Sequence, residues 1–184
     1  VDLSGTGNAL ANSGSISAAD SGGIGVNLRN GNALTNTGDI DGGYYGVAEG
    51  GGNVIANAGT IVGGNAGLNI ADDGNSVANA GTIAGGTTGI RISGSSTTPS
   101  GNIIDNSGTV IGSSYSVFIA NAGNTLNILA GSNLQGLLSI AAGNDRRNDR
   151  ALVMIRSRYW AGLSHMALST LLPNLFGRRW PKAG

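Results

Sequence analysis

Two pairs of carboxylates lie close together in the chain: Asp39 and Asp41, on either side of Ile40, and the adjacent Asp72 and Asp73. In an extended strand, residues two apart point to the same side. Asp39 and Asp41 could therefore stand together as the acid and base of a sugar-cleaving reaction, which needs carboxylates about 5–9 Å apart. Elimination from an acidic polysaccharide would also need a cation and a basic group in the same groove. The basic residues nearest in sequence, Arg29 and Arg91, are far from one another. Solvated acids in turns are the better reading of all four aspartates. His165 is the only histidine, and Ser139 has no nucleophile-elbow context, so a Ser-His-Asp relay is not expected. Gly143-Asn144-Asp145 is a single fragment of a calcium-binding repeat pattern, and Gly85-Gly86 has no phosphate-loop lysine beside it. The chain has no cysteine, which excludes zinc–thiolate sites, iron–sulfur clusters and disulfides. The expectation is a protein with no catalytic residues, no metal and no cofactor. Tyr44, Tyr45 and Tyr115, set in Gly-rich turns, are the candidates for surface contact with a glycan or protein.

Charge divides the 184 residues into two regions. Residues 1–145 carry two basic groups against nine acidic ones, and residues 146–184 carry eight basic groups against one. The first region would repel polyanions, so no nucleic-acid partner is expected for it. The chain opens on Val1 with no basic and apolar leader, which suggests a fragment or a processed chain, and no run of apolar residues is long enough for a spanning helix.

The elements that carry these residues are set by repetition. The phrase Asn-x-Gly-x-Ile/Val recurs at Asn12, Asn36, Asn57, Asn79 and Asn106, at spacings of 24, 21, 22 and 27 residues. A Gly-Asn pair precedes each copy, with its asparagine at 8, 32, 53, 75 and 102, and a sixth pair, Gly123-Asn124, opens a divergent copy. Apolar residues recur at Leu10, Leu34, Ile55, Val77, Ile104 and Leu126, and again at Ile16, Ile40, Ile61, Ile83 and Val110. A third patch follows in each repeat: Ile24-x-Val26-x-Leu28, Val47, Leu68-x-Ile70, Ile90-x-Ile92 and Val117-x-Ile119. Alternation with period two marks short strands, and Gly and Asn punctuate them as turns. Strands this short make feeble hairpins. Wound as a coil, each pairs in parallel with its equivalent one turn later, about 4.8 Å away. The expected fold is an all-β parallel solenoid with three short strands per turn and five to six turns. The motif asparagines share the parity of the apolar columns. They are expected to point inward and bond to one another or to turn backbone, the alternative being that they simply form turns. Ser93 to Ser100, with Pro99, reads as a loop lengthening one coil.

Residues 7–145 resemble the passenger domains of bacterial autotransporters, the type V secretion proteins. The resemblance lies in segments such as Gly74-Asn75-Ser76-Val77-Ala78-Asn79-Ala80-Gly81-Thr82-Ile83, followed by Gly89-Ile90-Arg91-Ile92. The run Gly123-Asn124-Thr125-Leu126-Asn127-Ile128-Leu129-Ala130-Gly131-Ser132 through Gly143-Asn144-Asp145 looks like the closing part of such repeat blocks. The resemblance implies a right-handed single-stranded parallel β-helix, displayed outside a bacterial cell as a stalk or adhesin. It also implies export through the inner membrane, then translocation aided by a C-terminal outer-membrane barrel that the chain does not contain, and a host-cell surface protein or glycan as partner. The runner-up is a carbohydrate-active β-helix enzyme, a polysaccharide lyase or hydrolase. The family has no shared catalytic set to carry over.

The pattern stops at Asp145, so the chain divides into a β-helix fragment, 1–145, and an atypical basic tail, 146–184. The tail holds both tryptophans and both methionines, and its stretch 151–172 has a helical composition that ends before Pro173. Three readings fit it: a frameshift or truncation product without evolved order, a cap over the open end of the coil, or a basic amphipathic segment for a membrane or nucleic acid. The first is favoured, because the repeat meets Arg146 where the resembling family continues with Thr-Leu and further Gly-Asn turns.

Overall fold

The structure is a computed structural model. It describes residues 1–18, 20–94, 98–140 and 154–155. Those residues form a parallel β-solenoid of about six turns, with no helix among them.

The first face of the rod is a six-stranded parallel sheet of Ala9–Asn12, Ala33–Asn36, Val54–Asn57, Ser76–Asn79, Ile103–Asn106 and Thr125–Ile128. Its register places Leu10, Leu34, Ile55, Val77, Ile104 and Leu126 in one column. The second face is formed by Ser15–Ala18, Asp39–Gly42, Thr60–Gly63 and Thr82–Gly85, with Ile16, Ile40, Ile61, Ile83 and Val110 in register. The third comprises Asp2–Leu3, Ile24–Leu28, Tyr45–Glu49, Ala66–Ile70 and Thr88–Ile92. In the last turns the second and third strands fuse into Thr109–Ile119 and Asn133–Ile140, which joins those two faces into one twelve-stranded sheet. The two-residue strand Met154–Ile155 pairs with Asn133 and Leu134. Met154–Ile155 is thus extended where a helix was expected over 151–172, and the other residues of that stretch lie outside the described residues.

The core is a stack of aliphatic columns from the three faces, and most of its members have no solvent exposure. Leu10 and Ile16, in the first turn, are only half-buried. Ile24 departs from the inward position that alternation with Val26 and Leu28 suggested. Between Ile24 and Val26 the alternation breaks, because Gly25 faces the interior and a Cβ there would strike Ile40 Cγ2. The same holds at Gly46 against Ile61 and at Gly67 against Ile83. The residues just before these glycines, Ile24, Tyr45 and Ala66, share one column, in which Ile24 and Tyr45 are half-buried and Ala66 is fully buried.

The glycine of the Asn-x-Gly motif has a different cause. A Cβ at Gly38, Gly59, Gly81 or Gly108 would collide with the carbonyl oxygen of the motif glycine one turn below. The corner between first and second strands is packed backbone on backbone, so no side chain fits.

Candidate functional site

The residues that repeat are engaged in bonding one winding to the next. Each motif asparagine donates a side-chain N–H to the side-chain oxygen of its counterpart one turn on. Asn12 to Asn36, Asn36 to Asn57 and Asn57 to Asn79 are each 2.8 Å, and Asn79 to Asn106 is 2.7 Å. The same amides reach the carbonyl of their own motif glycine, at 3.0 Å for Asn36 to Gly38 and for Asn106 to Gly108. All five are buried. The strand pairs Asn106 with Ile128, so the amide column ends there, and Ser132 Oγ instead donates to the Asn106 carbonyl oxygen.

A second column consists of the leading asparagines, buried from Asn32 to Asn124 and exposed at Asn8, and it does more than punctuate turns. The backbone N–H of Asn32, Asn53 and Asn75 each donates to the side-chain oxygen of the next leading asparagine at 2.8 Å, and Asn8 and Asn102 do the same at 3.0 and 3.1 Å. The cause is the glycine before each one. Gly7, Gly31, Gly52, Gly74, Gly101 and Gly123 have φ between 65° and 81°, a left-handed turn that L side chains resist. The signal was present in the sequence as the invariant Gly-Asn pair.

Of the candidate carboxylates, Asp39 and Asp41 face the same way from one strand, as the alternation implies, and Asp72 and Asp73 lie apart from them in the turn after Ala66–Ile70. Asp39 and Asp41 are exposed on the outward side of Asp39–Gly42, and their strand partners one turn on are Thr60 and Val62. Asp73 Oδ1 accepts from the Ser100 backbone N–H at 2.7 Å, which ties down the end of the long insert. Asp105 Oδ1 accepts from Asn127 Nδ2 at 2.6 Å. No group of three His, Asp or Glu side chains suited to a metal ion occurs among the described residues. His165 and Gly143-Asn144-Asp145 lie outside the described residues. A shallow groove of about 380 Å³ runs along the first face, lined by small residues of successive turns such as Thr35, Ala56 and Ala78.

Glu49 is the one acid in the interior of the described rod. It occupies the core column between Leu28 and Ile70, only 3 % exposed, and neither carboxyl oxygen has a hydrogen-bond partner. Burial pushes its pKa well above the usual carboxylate range. Sealed from solvent, it cannot meet a polymeric substrate.

The tyrosines sit differently from the Gly-rich turns expected for them. Tyr44 stands at a corner, but Tyr45 opens Tyr45–Glu49 and Tyr115 lies within Thr109–Ile119. The rings of Tyr44 and Tyr45 are 4.5 Å apart between centroids, and those of Tyr115 and Phe118 are 5.1 Å apart. Arg91 Nη1 donates to the Tyr45 hydroxyl at 3.3 Å and to Asn69 Oδ1 at 3.4 Å. Burial raises the Tyr45 hydroxyl above its ordinary pKa, against a smaller opposing pull from Arg91. Comparison with family models, with curated proteins and with solved structures gives no match to the chain.

Proposed function

We propose that the chain is a structural or adhesive stalk, displayed on a bacterial surface as part of an autotransporter-like protein, and that it carries out no catalysis. The observation that supports this reading is where the repeated residues go. The repeated asparagines, motif glycines and most of the repeated aliphatics serve contact between windings, whereas outward positions change type from turn to turn. A molecule whose repeating chemistry is its own stacking is built for length and rigidity. Partners then bind the variable outer faces, and the partner class that fits is a host-cell surface protein or glycan.

The test has two parts. Antibody labelling of intact producing cells should find the rod on the outside, removed by added protease. The purified chain should release no reducing ends from a panel of neutral and acidic polysaccharides. Release that disappears in Asp39→Asn and Asp41→Asn would replace this reading with a carbohydrate-active enzyme, and a strictly cytoplasmic antigen would remove the stalk.

A further inference from the structure

The aromatic side chains of the described residues are Tyr44, Tyr45, Tyr115 and Phe118, and all belong to the third face or the corner that leads into it. Two adjacent columns of the third face carry them, in which the aromatic residues and Arg91 are partly exposed and Ala48, Ala66, Asn69 and Thr88 are buried. One runs Tyr45, Ala66, Thr88, Tyr115, and the other Ala48, Asn69, Arg91, Phe118. Arg91 and Phe118 are therefore neighbours along the rod, with the Tyr44–Tyr45 pair on the other side of the arginine. Tyr45 and Tyr115 are three windings apart, about 14 Å at the parallel-sheet spacing. The second arginine of the described rod, Arg29, is 3.6 Å from Asp2. Arg91 makes no ion pair among the described residues, and its two bonds go to neutral oxygens.

We propose that this face binds a short oligosaccharide in which a single carboxylated sugar stands among neutral ones, with Arg91 on the carboxylate and the two aromatic pairs against sugar rings on either side. The proposal deepens the adhesive reading and rests on it. A guanidinium fork matches a carboxylate with two parallel hydrogen bonds. Aromatic rings with polar tips suit ligands that alternate apolar ring faces with hydroxyl rims, and stacking tolerates a shallow, open surface. Arg91 is already held by Tyr45 and Asn69, so less side-chain freedom is lost on binding. The charge pattern narrows the ligand further. The rod around this face is acidic, with two basic against nine acidic groups over residues 1–145, so a densely charged polymer is repelled. One carboxylate opposite the one arginine without an acidic partner is accommodated.

The probes are sialyllactose, which carries one carboxylate, and lactose, which carries none, titrated against the intact chain by calorimetry and by NMR. Sialyllactose should bind and shift the ring resonances of Tyr45 and Phe118, with lactose weaker by about tenfold or more, the loss of one charge-assisted contact. Arg91→Gln should abolish the preference, Phe118→Ala should weaken both ligands, and Arg29→Gln should change neither, with circular dichroism confirming that each variant is folded. Absence of binding by the folded wild-type rod overturns the proposal and leaves the stalk reading standing. So does equal binding of the two sugars, or binding that Arg91→Gln and Phe118→Ala leave unchanged. Cleavage of bound sialyllactose would instead overturn the non-catalytic reading of the chain and leave the binding face in place.

Discussion

A buried primary amide has two N–H donors and a carbonyl oxygen to satisfy, and the inner asparagines meet this need by repetition. Asn57 accepts from Asn36 and donates to Asn79, both at 2.8 Å. Asn57→Ala therefore strands a donor on Asn36 and an acceptor on Asn79 in a dry interior. It should lower stability by about 2–6 kcal/mol, since each of the two buried polar groups left unpaired costs about 1–3. Asn12→Ala, at the end of the column, should cost clearly less, and urea unfolding compares the two directly. Glu49 presents the opposite case, a polar group with no partner among aliphatic neighbours. Its folded pKa is raised, so the folded state holds the proton that the unfolded state releases at about pH 4.3. Between those two pKa values the unfolded chain binds fewer protons, and stability falls as pH rises. Urea midpoints measured upward from pH 4 should decline through this window in the wild type. Glu49→Leu should be more stable above it and should lack that part of the decline.

At the scale of a strand and its corners, two glycine classes look alike in sequence but fail for different reasons. Gly52 has φ 68°, and a Cβ there would meet only the Gly31 backbone nitrogen, at an ordinary van der Waals distance of 3.9 Å. Gly52→Ala should cost about 1–2 kcal/mol from backbone strain alone. Gly59 has an ordinary φ, but a Cβ there meets the Gly38 carbonyl oxygen. Gly59→Ala must push adjacent windings apart, and it should exceed the Gly52 penalty and disturb the amide column next to it. The readout is the difference in thermal midpoint between the variants, together with amide exchange at Thr60, whose N–H donates to Gly38. A larger effect at Gly52 than at Gly59 would contradict the backbone-on-backbone packing at the corner.

The whole molecule behaves as a stack in which each winding contacts mainly its neighbours, so length changes by whole windings are the ones it should accept. Asn57 and Asn79 are register equivalents, as are Ile55 and Val77. Deleting residues 58–79 removes one winding and brings Asn57 against Ala80, the residue that follows Asn79, with both ladders resumed. That deletion should leave a folded rod shorter by about 4.8 Å, measurable by small-angle scattering. Removing half as many residues from the same segment breaks the register of every column and should abolish cooperative folding.

Some of this was legible in the residues alone. Period-two apolar patches recurring at 21 to 27 residues define columns, and columns of chemically equal residues stack only in a parallel coil. The register of Leu10, Leu34 and Ile55 follows from the same repetition, because any slip would set aliphatic residues against polar ones. What does not repeat could not be placed this way. Glu49 falls at a core position because its strand is held in register by Leu28 and Ile70 above and below, although its own chemistry argues for solvent. The leading asparagines looked like turn formers until the left-handed glycines showed which backbone N–H they had to serve. Tyr45, Arg91 and Phe118, distant in sequence, come to one face because winding converts residue number into angle around the rod and height along it. Local pattern determines that a rod forms, and the angle at which each corner turns decides which exceptional side chains meet on its surface.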